Sequence, residues 1–319
     1  MAAAITNGNM QPTLTRRQAV LGATAGLLAA AWPRLGSTQT AASAPALTDL
    51  GTDLVLVQGA GANVVALGTA DGLLLVDGGA EARAPALQSA LGERWPGRAV
   101  KIAINTNWRD DHTGGNAVLR GAGATVMAHE NTKLWLGGDF FVDWEDRHYA
   151  PHDAAMLPGK TFYTSGTLEL GGRKVEYWHL PRAHTDGDVA VFFRDANVLA
   201  ASDLLSVGRY PVPDYATGGW IGGLFDATQK LLESTDARTR MVAADGGVYG
   251  RAELEAQLEL LTAVRLKVAE AFRVGMSFAD FVASKPTAAF DAKWGDPQQF
   301  LRLVYKGGFA HLRELGGVI

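Results

Sequence analysis

Between residues 54 and 76 the chain carries three short apolar runs, Leu54-Val55-Leu56-Val57, Asn63-Val64-Val65-Ala66-Leu67 and Leu73-Leu74-Leu75-Val76, set apart by glycine-containing turns. Runs of this length between turn residues are too short for helices and read as strands, and three in succession make a meander. Residues 81–94 then offer the Ala, Leu, Gln and Glu of a helix, stopped by Trp95-Pro96-Gly97, and Val100–Ile104 is again an apolar strand. The alternation continues. Residues 113–121 open a helix, 124–128 read as a strand and 130–137 as a helical turn, and 167–179 form a hairpin about Gly171-Gly172. Two β-rich runs at 189–193 and 197–201 precede a helix at 221–234, a short strand at 241–244, a long helix at 250–273 and shorter ones at 276–284 and 297–305. No repeat of fixed period and no low-complexity linker follows residue 50, so one α/β domain with sheets inside and helices outside is the economical arrangement.

The first fifty residues stand apart. From Met1 to Leu47 there is no acidic residue, and the apolar run 20–31 is too short and too rich in Gly, Ala and Thr to cross a bilayer core of about 30 Å. Directly before it stands Thr15-Arg16-Arg17-Gln18-Ala19-Val20-Leu21, a paired arginine where twin-arginine export signals place theirs; an ordinary basic leader is the plainer alternative. Ala42-Ser43-Ala44 is a small-x-small cleavage site and Ala29-Ala30-Ala31 a second candidate. The expectation is a signal over residues 1–44, export to the periplasm, and a single domain over 45–319. Arg16, Arg17 and Arg34 would leave with the signal, making the formal net charge of -4 three units more negative. Such acidity gives no reason to expect nucleic acid. The 47% hydrophobic and 19% charged composition is that of a globular chain without stable membrane insertion, and a small molecule is the expected partner.

The absence of cysteine excludes disulfides, thiolate metal sites, iron–sulfur clusters and a cysteine nucleophile, so any metal has to sit on nitrogen and oxygen. Seven histidines are available. One lies in the most informative segment, where strand Val100–Ile104 runs into Asn105-Thr106-Asn107-Trp108-Arg109-Asp110-Asp111-His112-Thr113-Gly114-Gly115-Asn116. Val76-Asp77-Gly78-Gly79 precedes it, and Ala183-His184-Thr185-Asp186-Gly187-Asp188 and Ser202-Asp203 follow. In order and spacing these strings resemble the metallo-β-lactamase superfamily, over nearly all of the chain after the signal. The resemblance implies an αββα sandwich, two mixed β-sheets face to face and flanked by helices, with a metal site at the loop edge.

The departures matter as much as the matches. That family's loop reads H-x-H-x-D-H, and here it reads N-x-R-x-D-H. The resemblance puts Asn107, Arg109 and His184 where the first metal's three histidines belong. A guanidinium has donors only and stays protonated, so Arg109 repels a cation there, and Asn107 offers at best a weak carbonyl. At the second metal position Asp111, His112 and Asp203 match, and Asp245 in Ala243-Ala244-Asp245-Gly246 stands where the family has its last histidine. One imidazole with three carboxylates suits Mn²⁺, Mg²⁺ or Fe²⁺ more than an imidazole-rich zinc site does, although Zn²⁺ accepts both ligand types. The implied cofactor is at most one divalent metal ion, or none. Three carboxylates in one pocket repel one another unless a cation offsets them. Arg109 is the available cation, through a bidentate bond to a carboxylate such as Asp203. Two states stay open: one metal plus Arg109, or no metal, with Arg109 and His112 holding the acids together.

Two functions follow. One is an exported hydrolase in which metal-activated water attacks an ester, lactone or amide of β-lactam type, with Asp111 orienting the water and Arg109 or Asn107 stabilising the oxyanion. The other is a catalytically inactive relative that holds a ligand or partner in the altered pocket. For single residues a plainer reading stands beside the functional one. Asp245 is a ligand or a turn residue before Gly-Gly, His184 a ligand or a hydrogen-bonded remnant, and Asp77 a support behind the site or a turn former. His129, His148, His152, His179 and His311 have no motif partner and read as structural or exposed. The stretch from Phe140 to Tyr149 and the loop from Tyr210 to Tyr215 fall where the family places substrate-facing loops, with packing of aromatics under long loops as the other reading.

Overall fold

The computed structural model describes residues 44–314; the expected export signal lies, but for its last residue, outside them. The apolar runs of the first half are strands buried on both faces. β1 (Ala46–Asp49), β2 (Leu54–Gln58), β3 (Val64–Thr69) and β4 (Gly72–Val76) form an antiparallel meander. After α1 (Ala84–Arg94), β5 (Val100–Ile104) joins parallel to β4. Two short helices, α2 (Asp110–Thr113) and α3 (Asn116–Gly121), lead to β6 (Thr125–His129), and α4 (Glu130–Gly137) leads to a small hairpin, β7 (Phe140–Val142) and β8 (Arg147–Tyr149). β9 (Lys160–Phe162) closes the first sheet, whose order is β1-β2-β3-β4-β5-β6-β9.

The second sheet begins with the expected hairpin, β10 (Gly166–Leu170) and β11 (Arg173–His179), and continues through β12 (Val189–Phe193) and β13 (Val198–Ser202). Helix α5 (Ile221–Ser234) carries the chain to β14 (Arg240–Ala243), which lies parallel to β13, and β15 (Val248–Tyr249) ends the sheet. The chain closes with α6 (Arg251–Arg273), α7 (Phe278–Ala283), α8 (Asp291–Trp294) and α9 (Gln298–Glu314).

Side-chain alternation divides the burial. Leu54, Leu56, Leu67 and Leu74 of the first sheet meet Val175, Val191, Phe193 and Val242 of the second in the central layer. Val55, Val57, Ala66 and Leu75 point the other way, under Leu87 and Leu91 of α1 and Leu119 of α3. On the far side Leu199, Ala201 and Met241 pack beneath Leu224 and Leu231 of α5, Leu261 and Val264 of α6, and Phe300 and Val304 of α9. This is the expected αββα sandwich of mixed sheets. Strands covered on both faces are apolar throughout, which is why they stood out in the sequence. The expectation missed β1, β7, β8, β9 and β15, each four residues or fewer, and ended α9 nine residues early.

The topology places the chemistry. Asp77 follows β4, Asn105–His112 follows β5, Asp203 follows β13 and Asp245 lies just past β14, all at the C-terminal edge of parallel strand pairs. His184 enters from the loop before β12, which runs antiparallel to β13.

Candidate functional site

Two glycine turns fix the loop after β5. A side-chain carbon on Gly115 would lie 2.3 Å from the Gly78 carbonyl oxygen, and one on Gly114 2.2 Å from the Glu81 nitrogen. The Gly-Gly after His112 thus lets this turn nest against the one after β4, where Gly78 N donates to His112 O at 2.7 Å. Asp77 leaves β4 with φ 67°, a left-handed conformation that Asp tolerates better than most residues, and its carboxylate points inward. It accepts from Thr106 N (2.7 Å), from Thr106 Oγ1 (2.7 Å) and from His112 Nδ1 (2.8 Å).

His112 is 1% exposed and reaches a second carboxylate with its other nitrogen, Nε2 lying 3.0 Å from Asp203 Oδ2. Burial alone would lower its pKa, but Asp77 and Asp203 override that and hold it well above the ordinary value, with a carboxylate facing each ring nitrogen. Asn107 donates from Nδ2 to the same Oδ2 at 2.8 Å, its amide oriented by Arg109 N, which donates to Oδ1 at 2.9 Å. Burial would raise the Asp203 carboxyl, and its neighbours His184 and His112 hold it far below the usual carboxylate range. His184 donates from Nδ1 to the Val212 carbonyl, so its Nε2 is the nitrogen turned to the cleft. That nitrogen is buried without a hydrogen-bond partner, 3.9 Å from Asp203 Oδ2. The turn carrying it is braced by Asp188, whose carboxylate accepts from Thr185 N and Oγ1 and is pushed by burial up to about 7.

Arg109 does not pair with Asp203, as the sequence reading supposed. Its guanidinium turns outward into a box: Nη1 donates to Glu145, Nη2 donates to Asp214 at 2.9 Å, and the plane lies against Trp108 and Trp144 at 4.6 and 5.1 Å. Burial lowers its pKa less than Asp214 and Glu145 raise it, so it stays charged. Trp144 Nε1 donates to the other oxygen of Asp214 at 2.7 Å, and Tyr149 OH donates to Glu145 at 2.7 Å. Asp214 is fully buried, and its only cation is Arg109 among the described residues. The arginine therefore ties the β7–β8 hairpin and the loop from Tyr210 to Tyr215 to the floor. Asp143 extends the tie to α9 through Lys306 at 2.7 Å and also accepts from Tyr215 OH.

The structure thus brings Asn107, His112, His184 and Asp203 together and leaves Asp111 and Asp245 at the margin. Asp111 has a side chain 58% exposed, with Oδ1 3.9 Å from His112 Nε2. Asp245 is turned to Arg209 at 2.9 Å and is 52% exposed. With Asn107 committed to Asp203 and Arg109 to its two acids, neither is placed as the oxyanion donor that the sequence reading assigned. Asp77, Glu145, Asp214 and Arg209 complete the site. Asp77 had been noticed as a possible support; Glu145, Asp214 and Arg209 were missed. Only a rule that a buried arginine demands acids would have sought Arg109's partners among the nearby acidic loops.

A four-layer α/β sandwich with its polar cluster at the strand C-termini is a hydrolase-like architecture. The family model of the metallo-beta-lactamase superfamily matches residues 57–251, more than half of the chain, and the chain belongs to that superfamily. Among solved structures it is similar to a metallo-beta-lactamase from Pontibacter korlensis, at 19% identity over 68% of this chain and 99% of that one, TM-score 0.56. It is similar also to the metallo-beta-lactamase IND-7, at 19% identity over 68% and 98%, TM-score 0.55. A double mutant of the sec-alkyl sulfatase PisA1 aligns at 14% identity over 85% of this chain and 50% of that one, TM-score 0.65. At these identities the likeness is one of fold. No curated protein matches the sequence.

The superfamily typically uses divalent metals, and Asp203 tests whether these residues fit one. Its Oδ2 already accepts from Asn107 at 2.8 Å and lies 3.0 Å from His112 Nε2, the nitrogen His112 would offer a metal. Asp111 and Asp245 stand off, and among the described residues no three His, Asp or Glu side chains are grouped to hold an ion. The residues do not fit the metal centre of the family.

Proposed function

We propose that this chain is a metallo-beta-lactamase superfamily member that works without a catalytic metal and holds a small molecule in the cleft beneath the β7–β8 hairpin. The observation that carries this reading is the closure of Asp203 by the N–H groups of Asn107 and His112, at 2.8 and 3.0 Å. Protein hydrogen atoms satisfy the carboxylate that a cation would otherwise neutralise. The cleft, about 460 Å³, is lined by Arg109, Trp144, Tyr149, His184, Asp203 and Arg209 among others, and its size suits a small ligand. Metal-activated hydrolysis of an ester, lactone or amide, the other reading left open by the sequence, would require Asn107 and His112 to release Asp203. The test is thermal unfolding with and without added Zn²⁺ or Mn²⁺, alongside assays with β-lactam and ester substrates. No rise in Tm and no hydrolysis are expected; a saturable rise together with metal-dependent turnover would overturn the proposal.

The paired arginines before the apolar run support a second part of the proposal, export to the periplasm by the twin-arginine route. Arg16→Lys with Arg17→Lys should leave the protein in the cytoplasm. Unchanged export of the double variant would contradict that route.

A further inference from the structure

Among the residues lining the cleft, the buried polar atoms without a hydrogen-bond partner are Asp110 Oδ1 and His184 Nε2; Trp108 Nε1, behind the lining, is a buried donor likewise without one. Arg109 is committed to Glu145 and Asp214, Arg147 to Asp110 and Arg209 to Asp245. What remains is the exposed carboxylate of Asp111, the part of Asp203 not closed by Asn107 and His112, and Nε2 of His184. The last is the telling one. His184 is 4% exposed, lines the cleft, has its other nitrogen fixed on the Val212 carbonyl, and leaves Nε2 without a hydrogen-bond partner, 3.9 Å from Asp203 Oδ2. A buried polar nitrogen without a partner costs free energy, and toward the neutral ring a ligand N–H would satisfy it. Charge points the same way: the lining holds Arg109, Arg147 and Arg209 against Asp110, Asp111, Glu145, Asp203 and Asp245, an excess of acid.

We propose that the floor of this cleft binds a small organic cation, a primary alkylammonium, whose N–H groups reach Asp111, Asp203 and Nε2 of His184. The assignment rests on the metal-free reading above. An ammonium group brings three donors and one positive charge, and takes up acceptor lone pairs without displacing the Asn107 and His112 protons from Asp203.

Butylamine, its neutral counterpart butanol, inorganic phosphate and Zn²⁺ serve as probes on the full chain, read by calorimetry and thermal shift. Saturable binding of butylamine with a rise in Tm, no binding of butanol, and affinity weakened about tenfold or more in Asp111→Asn and in His184→Phe are expected. Asp111 is exposed, so its variant reports on binding even where His184→Phe fails to fold. If neither butylamine nor Zn²⁺ binds, the ammonium assignment falls and the metal-free reading stands. Should Zn²⁺ bind stoichiometrically and exclude butylamine, both fall. Stabilisation by phosphate in place of butylamine overturns the charge argument, and butylamine binding unchanged in Asp111→Asn overturns the location.

Discussion

His112 lies between Asp77 behind it and Asp203 in front, at 2.8 and 3.0 Å, and this placement sets both nitrogens of a residue type often used as a metal ligand against carboxylates. His129 shows the opposite outcome. It stacks on His179 with ring centroids 3.7 Å apart, and its Nδ1 accepts from Asn131 N. Burial first, and the neighbouring His179 second, push it down to about 4 from 6.5. Because the folded state resists this proton and the unfolded chain takes it up near 6.5, this residue's contribution to stability should fall as pH drops from about 6.5 and level off below about 4. An NMR titration of the His129 ring checks this, with a midpoint near 4 expected; a midpoint at the ordinary histidine value would contradict the buried stack. At this scale the sequence was legible where chemistry came in strings. Asp77, His112, His184 and Asp203 each sat in a recognisable run and meet in space. Glu145 and Asp214, the partners of Arg109, lie 36 and 105 residues away in loops without a motif, and no local pattern links them.

The β7–β8 hairpin is held by residues outside it. Arg109 holds Glu145 from below, and Arg147 of β8 reaches Asp110. Replacing Arg109 by Ala leaves Asp214 buried without its cation, and the expected loss is about 3–5 kcal/mol in denaturant unfolding. Hydrogen exchange should locate the effect: protection across residues 140–149 falls while the central strands β3, β4 and β12 keep theirs. Uniform loss, or none, would contradict the role of Arg109 as a tie. Arg109→His, which restores the family's residue, should be destabilising too, since an imidazole cannot span both acids. The nested turns make a second prediction. Gly115→Ala drives a methyl group against the Gly78 carbonyl and should cost about 1–3 kcal/mol, whereas Gly97→Ala, whose added carbon meets nothing within 4 Å, tests how much a positive φ alone contributes. The hairpin escaped the sequence reading because strands of three residues carry too little alternation to register, while α5 and α6, long and amphipathic, were placed within a residue of their ends.

For the whole molecule, sheet-on-sheet packing and the outer helices follow from apolar runs that fill both faces of the central strands, and those runs were visible without any structure. Site occupancy was not. The sequence left one metal with Arg109, or none, because ligand spacing does not reveal which donor a side chain turns toward which acceptor. The metal-free proposal rests on how the side chains turn: Asn107 donates to Asp203, His112 Nε2 lies 3.0 Å from it, and Arg109 points away. The central claim is that this sandwich keeps its family's framework and closes the metal centre from within. Its most direct test is the native mass of the protein purified without chelator and exchanged into zinc-containing buffer. The account predicts the mass of the bare chain, with less than about 0.1 metal per molecule; a species carrying one or two bound zinc ions would contradict it.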